Sequence, residues 1–465
     1  MTSTGTFQSV NPARPTDIVG EFRAADAAEV AATMEKASAA QQHWARQPPS
    51  QRALIVGGIG HALARETHEV AALITREEGK TLTESRNEVL KSAQQFLFAS
   101  QLAYLNEGTT FPDEDADTFT YTVREPVGLV VAITPYNFPV SLPARKLAAA
   151  LALGNAVVFK PSPVTPACGD LLVHVAREAG LPDGVLQVVH GTDEDAMAAM
   201  LGHPAVGAVT FTGSDRAGEA TRANLRGSVR AQMELSGHNA TIVCADADLE
   251  AAATGVAGAA FGLAGQACTS TDRVLVAREV YADFRRALAA RVSAMHVGDG
   301  AVDRTTCGPV ATAEQQRRLR ELAASARDAG AHVVAEAAVP AGADGYFVSP
   351  TLFEDVPQEH PLHTAEIFGP YAVLVPVSDE QTAVALINEG RHGLVGSVYT
   401  RDVHTAMRCA RNLKVGVVKV NRRTTGNGIA PPFGGWKDSS AGGYPEGGRQ
   451  AVDFFTLVKT VYTGF

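Results

Sequence analysis

Apolar positions along the chain follow two regimes. From 25 to about 105 they recur at helical spacing with charges on the opposite side, first in AADAAEVAATMEKASAA and then in RALIVGGIGHALARETHEVAALITREEGK. This spacing predicts helices that pack on a sheet supplied later in the chain. Around 106 to 125 the pattern changes: the acidic, proline-containing EGTTFPDEDADTFTYTVRE runs into an alternation of Thr with Phe, Tyr and Val, as expected of an exposed strand suited to pairing with another subunit. Short continuous apolar runs then alternate with helical patterns: VGLVVAI (127–133), AVVFK (156–160), VLQVVH (185–190) and AVTFTG (208–213). Strands this apolar are buried on both faces, and the alternation predicts a doubly wound parallel sheet. A second αβ series holds NATIVC (239–244), RVLVA (273–277), YAVLVPV (371–377) and VGVVKV (415–420), predicting a separate α/β domain that begins near 236–238.

Composition narrows the function classes. A chain of 465 residues with 45 % hydrophobic content exceeds what one core comfortably serves, so two or three folding units are expected. The formal charge of −10 argues against nucleic acid as a partner, because phosphate neutralisation needs clustered Lys and Arg. MTSTGTFQSVNPARP has no secretory or transit pattern, and the apolar run at 147–159 is too short for a bilayer and contains Gly154 and Asn155. The expectation is a cytoplasmic protein without a membrane partner. Cys168, Cys244, Cys268, Cys307 and Cys409 are widely spaced with no zinc-ligand pattern, so no metal is expected.

Three short segments bring candidate chemistry: PYNFP (135–139), ELSG (234–237) and GQAC (265–268). They supply a carboxamide, a carboxylate and a thiol, the groups needed to trap an aldehyde as a thiohemiacetal, shelter its oxyanion and hydrolyse a thioester. Small neighbours let the backbone at Cys268 approach a substrate closely. Glu234, at the end of a predicted strand, suits a general base, and Asn137 would lie at the carboxyl end of a parallel strand, where open α/β sheets hold ligands.

In order and spacing these segments resemble the aldehyde dehydrogenase superfamily over almost the whole chain. The resemblance implies a Rossmann-like cofactor domain (1–107 and 126–236), an α/β catalytic domain (237–430), a connecting segment (431–445) and a small β oligomerisation element (108–125 and 446–465). It implies a homodimer or a dimer of dimers. Cys268 is then the nucleophile, Asn137 the oxyanion donor, Glu234 the base, and Lys146 a supporting charge. No G-x-G-x-x-G opens a helix here, so NAD(P)+ binding rests on other segments. By resemblance these provide Thr134, Pro135, Lys160, Ser162, Gly213, Ser214, Leu235, Glu366 and Phe368. NAD-preferring relatives carry an acid three positions after the lysine; Pro163 stands there, so acceptance of NADP is expected.

The substrate is read from Arg145, which resembles the arginine of succinate-semialdehyde dehydrogenases and suggests an aldehyde bearing its own carboxylate. A salt bridge to a neighbouring acid is its structural alternative. Gly262 replaces a second arginine of those enzymes, whereas NRRTTGNGIAPPFGGWKDSS is similar to 2,5-dioxopentanoate (α-ketoglutaric semialdehyde) dehydrogenases. Thr269, Thr425 and Gly426 are the further substrate candidates, Thr425 and Gly426 in a loop of Thr424 to Asn427; Arg422 and Arg423 are expected to face solvent. The competing classes are a coenzyme A-acylating dehydrogenase, which generally lacks a base at Glu234, and a binding protein that keeps the fold without turnover.

Overall fold

Apolar segments of the first series assemble into a six-stranded sheet in the order Ser440–Ala441, Arg230–Glu234, Val206–Thr212, Leu129–Ile133, Ala156–Lys160, Leu186–Val188. All neighbours are parallel except the short Ser440–Ala441, which adds antiparallel to Arg230–Glu234. These coordinates are a computed structural model that describes residues 5–191 and 194–465. Every residue of Leu129–Ile133 is buried, the two-sided burial that its uninterrupted apolar run requires.

The helical reading of 25–105 resolves into four helices with clear punctuation. Ala27–Ala45 starts from a capping box of Asp26 and Glu29, and Leu82–Ser100 from one of Thr81 and Glu84. Pro49–Arg65 carries proline in its first turn, and Thr67–Glu78 stops at Gly79 in the left-handed conformation. Only Ala27–Ala45 packs directly on the sheet. The other three pack on one another and on the helices Ser141–Ala152 and Pro166–Glu178, forming an additional layer. The antiparallel hairpin Thr6–Asn11 with Arg14–Arg23 precedes them, and the periodicity gave no sign of it.

The second series forms a seven-stranded sheet in the order His332–Glu336, Thr351–Glu354, Tyr371–Val377, Thr271–Ala277, Asn239–Val243, Val395–Tyr399, Val417–Val420. Three of these strands, His332–Glu336, Thr351–Glu354 and Val395–Tyr399, lie outside the predicted set: two are short, and the third has a glycine within it. A third sheet stands apart, with Thr456–Gly464 paired to Thr118–Pro126 and that strand to Thr110–Phe111. It bears exposed Phe119 (45 %), Val458 (58 %) and Tyr462 (69 %). The segment 446–465 does not belong wholly to this arm. Its helix Ala451–Phe455 buries Phe454 and Phe455 in the core beneath Ser141–Ala152, and only the last strand extends outward. Among the described residues no helix is long and apolar enough to cross a membrane.

Candidate active site

Four strands of the first sheet end at one cleft. Leu129–Ile133 runs into Thr134 to Asn137, Ala156–Lys160 into Ser162 and Pro163, Val206–Thr212 into Gly213 and Ser214, and Arg230–Glu234 into Leu235 and Ser236. The second domain closes the other side with Cys268, Gln315, Arg318, Glu366 and Phe368, leaving a cavity of about 490 Å³. Strand order departs in both directions from Leu129–Ile133, so the cleft lies at the switch point where doubly wound sheets take ligands.

Cys268 sits on a sharply turned loop. Leu263, Ala264 and Gly265 take positive φ of 53°, 50° and 70°, and a side chain at Gly265 would meet the Gly369 carbonyl oxygen at 1.9 Å. Two non-glycine residues in this conformation carry local strain that the surroundings must hold in place. The holding groups are specific. Glu84 Oε1 accepts from the Leu263 amide at 2.7 Å, Gln266 Oε1 from the Ala311 amide at 3.0 Å, and the Asn239 amide group donates to the carbonyls of Cys268 (2.8 Å) and Ser270 (2.9 Å). Burial, with the carboxylates of Glu366, Glu234 and Glu446, pushes the Cys268 thiol up to about 12. At neutral pH the resting group is therefore the thiol.

Asn137 is buried, and its Nδ2 donates to the Gln266 carbonyl at 2.7 Å, which ties the carboxamide to the loop that carries Cys268. An amide nitrogen carries two hydrogens, so one remains for an oxygen beside Cys268. The backbone of this segment is fixed from behind. Lys80 Nζ donates to the Asn137 carbonyl at 2.6 Å and to Glu88 Oε2 at 2.7 Å, while Glu88 Oε1 accepts from the Val140 and Ser141 amides at 2.9 and 3.0 Å. Glu88 thus caps the helix that follows, where a carboxylate meets the positive end of its dipole.

Glu234 is buried and turned away from the cleft: its Oε1 accepts from Ser440 Oγ at 2.9 Å, and its Oε2 has no partner among the described residues. Burial and the neighbouring Glu446 raise its carboxyl well above the ordinary range. Lys146 does not line the cleft. It is buried in an ion pair with Glu446 and donates to Thr210 Oγ1 at 3.0 Å; its charge is felt at Glu234, but it lies outside the cleft lining.

The residues expected at the cofactor, Thr134, Pro135, Lys160, Gly213, Ser214, Leu235, Glu366 and Phe368, all line the cleft. Ser162 lines it too, though its hydroxyl is taken by the Val164 amide at 3.2 Å. Thr269, Thr425 and Gly426 do not line the cleft. Thr425 and Gly426 face a separate cavity of about 790 Å³ beside Arg422 and Arg423, and Lys419 Nζ takes up the carbonyls of Thr424, Thr425 and Gly426 at 2.7, 2.9 and 3.1 Å. Arg422 and Arg423 are exposed, as expected. Arg145 lines a narrow pocket with Gln95, Ile429 and Gly447. No carboxylate pairs with it among the described residues; it reaches the Gly428 carbonyl at 3.4 Å and lies 5.2 Å from the Phe433 ring centroid.

The model of the aldehyde dehydrogenase family matches residues 1–461. The chain belongs to the aldehyde dehydrogenase family. It is 36 % identical to the 2,5-dioxopentanoate dehydrogenase of Saccharolobus solfataricus over 462 residues, covering 99 % of this chain and 96 % of the relative. Among solved structures it superposes on an NADP-dependent enzyme of E. coli with a TM-score of 0.95 at 30 % identity, covering 100 % of this chain and 96 % of the other. It superposes on the betaine aldehyde dehydrogenase of Staphylococcus aureus in complex with NAD+ with a TM-score of 0.94 at 28 % identity, covering 99 % and 92 %.

As an aldehyde dehydrogenase the protein needs a dinucleotide site, and the cleft fits one. Lys160 Nζ has no protein partner among the described residues, and burial lowers its amine to about 8. Ser214 caps the helix Asp215–Ala223 through the Ala217 amide at 3.4 Å, leaving other first-turn amides for a phosphate. At the opposite end Glu366 accepts from the Gly237 amide at 3.2 Å, and Phe368 meets Tyr136 edge to face at 6.0 Å. Tyr136, Ser236, Gln315 and Arg318 also line the cleft, a role that no sequence pattern assigned to them. Gln315 and Arg318 lie on the charged helix Ala313–Asp328, whose sequence reads as an ordinary solvated face. Lys80 had a visible signal in REEGK, two acids and a lysine at a helix end, but no chemistry to attach it to.

Proposed function

We propose that this aldehyde dehydrogenase oxidises a carboxylate-bearing semialdehyde to its acid through Cys268, with Asn137 and Glu234 in the remaining roles. The observation that carries the reading is Arg145, a cation with no carboxylate partner among the described residues whose charge is felt at both Cys268 and Glu234. A guanidinium left without an acid, yet within electrostatic reach of the nucleophile, suits a substrate that brings one. The named relative acting on 2,5-dioxopentanoate supports the same class.

In the reaction the Cys268 thiol gives up its proton to solvent water, and the resulting thiolate attacks the aldehyde carbon. The free N–H of Asn137 Nδ2 and the backbone N–H of Cys268 donate to the oxygen that gains charge. The bound dinucleotide supplies the hydride acceptor. Glu234 as carboxylate then takes a proton from water, whose oxygen attacks the thioester carbon, and the Cys268 thiolate leaves with the acid released. For this step Glu234 must leave Ser440 and turn toward the thioester. Either dinucleotide suits the cleft: Pro163 stands near Lys160, and Glu366, the one carboxylate among the lining residues, lies at the nicotinamide end.

A homo-oligomer is part of this reading. Thr456–Gly464 and Val417–Val420 are both edge strands, and the first carries exposed Leu457, Val458 and Tyr462. Open apolar edges of this kind favour strand addition by a second copy. The test of function is an aldehyde panel assayed with NAD+ and with NADP+. Succinic semialdehyde should exceed butanal in kcat/KM by about tenfold or more, consistent with one charge-assisted hydrogen-bonded contact. Equal values would remove the carboxylate from the substrate.

A further inference from the structure

Asn137 and Cys268 reach the cleft from different sheets. Asn137 follows Leu129–Ile133 of the first, and Cys268 precedes Thr271–Ala277 of the second. The hydrogen bond from Asn137 Nδ2 to the Gln266 carbonyl joins their loops directly. A bond of this kind fixes a separation more firmly than an orientation, because the angle at a carbonyl oxygen is broadly distributed. An oxyanion donor has little such freedom to spare. It must stand within a few tenths of an ångström of the oxygen that gains charge, and a misplacement of about 1 Å costs about 10²-fold in rate.

The turn between helices Thr67–Glu78 and Leu82–Ser100 grips both sides. Toward the first domain, fully buried Lys80 donates from Nζ to the Asn137 carbonyl at 2.6 Å and to Glu88 Oε2 at 2.7 Å, and it lies 4.4 Å from the Phe138 ring centroid. Glu88 Oε1 holds the Val140 and Ser141 amides of the same stretch. Toward the second domain, Glu84 stands one helical turn before Glu88 and so on the same face. Its Oε1 accepts from the Leu263 amide at 2.7 Å, where the strained loop before Cys268 begins, and its Oε2 is fixed by the Thr81 amide and hydroxyl, both at 2.9 Å. The turn is seated tightly there. The Leu82 amide donates to the Gly300 carbonyl at 2.9 Å, and a side chain at Gly300 or Gly308 would collide with the carbonyls of Lys80 or Gly79. A buried lysine and carboxylate are costly to desolvate, and apolar side chains of similar size would fill the space without that cost. What the ion pair adds is a fixed position for the Asn137 backbone.

We propose that Lys80 and Glu84 form a clamp between the two domains that sets the Asn137 carboxamide against the Cys268 sulfur, Lys80 acting on the oxyanion donor and Glu84 on the nucleophile's loop. Both are positioning residues, since neither lines the cleft. The clamp rests on the assignment of Asn137 as oxyanion donor and is independent of which aldehyde is oxidised.

The experiment compares the full-length wild type with Lys80→Met, Glu84→Ala, Asn137→Ala and the Lys80→Met/Asn137→Ala double variant, using succinic semialdehyde and butanal. Lys80→Met should lower kcat and kcat/KM together by about 10- to 100-fold for both aldehydes, with dinucleotide affinity by fluorescence titration within about twofold of wild type. Alkylation of Cys268 by iodoacetamide should also stay within about twofold, because the loop that carries the thiol keeps its own holds. In the Asn137→Ala background the same substitution should cost less than about threefold, since the group it positions is gone. A merely structural lysine would cost as much in both backgrounds, and that result, or a Lys80→Met enzyme with wild-type kcat, would overturn the clamp. Glu84 is only half-buried, so Glu84→Ala carries the test from the other side if Lys80→Met does not fold. It should lower kcat by about tenfold and change the Cys268 alkylation rate by at least about threefold; wild-type values for both would sink the proposal. An Asn137→Ala enzyme that keeps wild-type kcat defeats the oxyanion assignment and the clamp with it, whereas a large Asn137 effect with no coupling to Lys80 defeats the clamp alone.

Discussion

Glu234→Gln isolates the step that separates this enzyme's two half-reactions. The resting carboxyl is buried, and that burial together with Glu446 raises it well above its ordinary range, favouring the neutral form that a carboxamide matches closely in charge and shape. Gln retains an oxygen for the Ser440 hydroxyl that now donates at 2.9 Å. Folding should therefore change by no more than about 1 kcal/mol, the scale of one ordinary hydrogen bond. What the amide lacks is the capacity to take a proton from water. A positioned general base contributes about 10²- to 10⁴-fold, or about 2.7–5.4 kcal/mol of barrier. Hydride transfer precedes hydrolysis, so stopped-flow absorbance should show a burst of reduced dinucleotide approaching the active-site concentration, followed by a steady state slower by that factor. The pH dependence has a definite sign. A base with a raised pKa gains its reactive, deprotonated form only as pH rises, so wild-type deacylation should climb toward alkaline pH and the variant should lose that limb. A steady rate near wild type with no burst would refute the assignment of Glu234 as base.

Asn137→Ala should lower kcat by about 10²- to 10³-fold through loss of one oxyanion donor, while a fluorescence titration finds dinucleotide affinity little changed. The Cys268 thiol, raised to about 12 by burial and the nearby carboxylates, should react slowly with iodoacetamide in the dinucleotide-free protein, its rate rising about tenfold per pH unit below that value. Peptide mass spectrometry should find the adduct at Cys268 ahead of Cys168, Cys244, Cys307 and Cys409, which are all more buried; preferential labelling of any of these four would contradict the picture. Lys146→Met strips Glu446 of its buried cation and should cost about 3–5 kcal/mol in urea denaturation. A small loss of stability combined with a large loss of kcat would instead place Lys146 in contact with the reacting groups.

Periodicity and short motifs carried much of this protein into view because they record local physics. Continuous apolar runs at 129–133, 156–160 and 239–243 can only be strands buried on both faces, and the small residues around Cys268 mark a backbone that something must approach closely. The positions of Asn137 and Glu234 relative to strand ends followed from the same patterns. The N-terminal hairpin and three strands of the second sheet did not, because short or glycine-bearing segments draw their stability from neighbours distant in sequence.

Ion pairing and accessibility depended on the folded arrangement alone. Lys146 reads as a helical lysine like any other until Glu446, three hundred positions away, closes on it and removes it from the ligand space. Arg145 was balanced between a salt bridge and a substrate contact, and only the packed helices decide that no acid reaches it among the described residues. Thr425 and Gly426 lie on a loop whose chemistry suits a carboxylate, yet their carbonyls are drawn onto Lys419 and they face a different cavity. The amino-acid order by itself determined which groups are available and which strands carry them, since helix and strand periods depend on near neighbours. Which charges meet, which are left without a counter-ion, and which side chains face the cleft were decided by tertiary structure, because electrostatic and packing energies depend on distance in space between residues far apart along the chain.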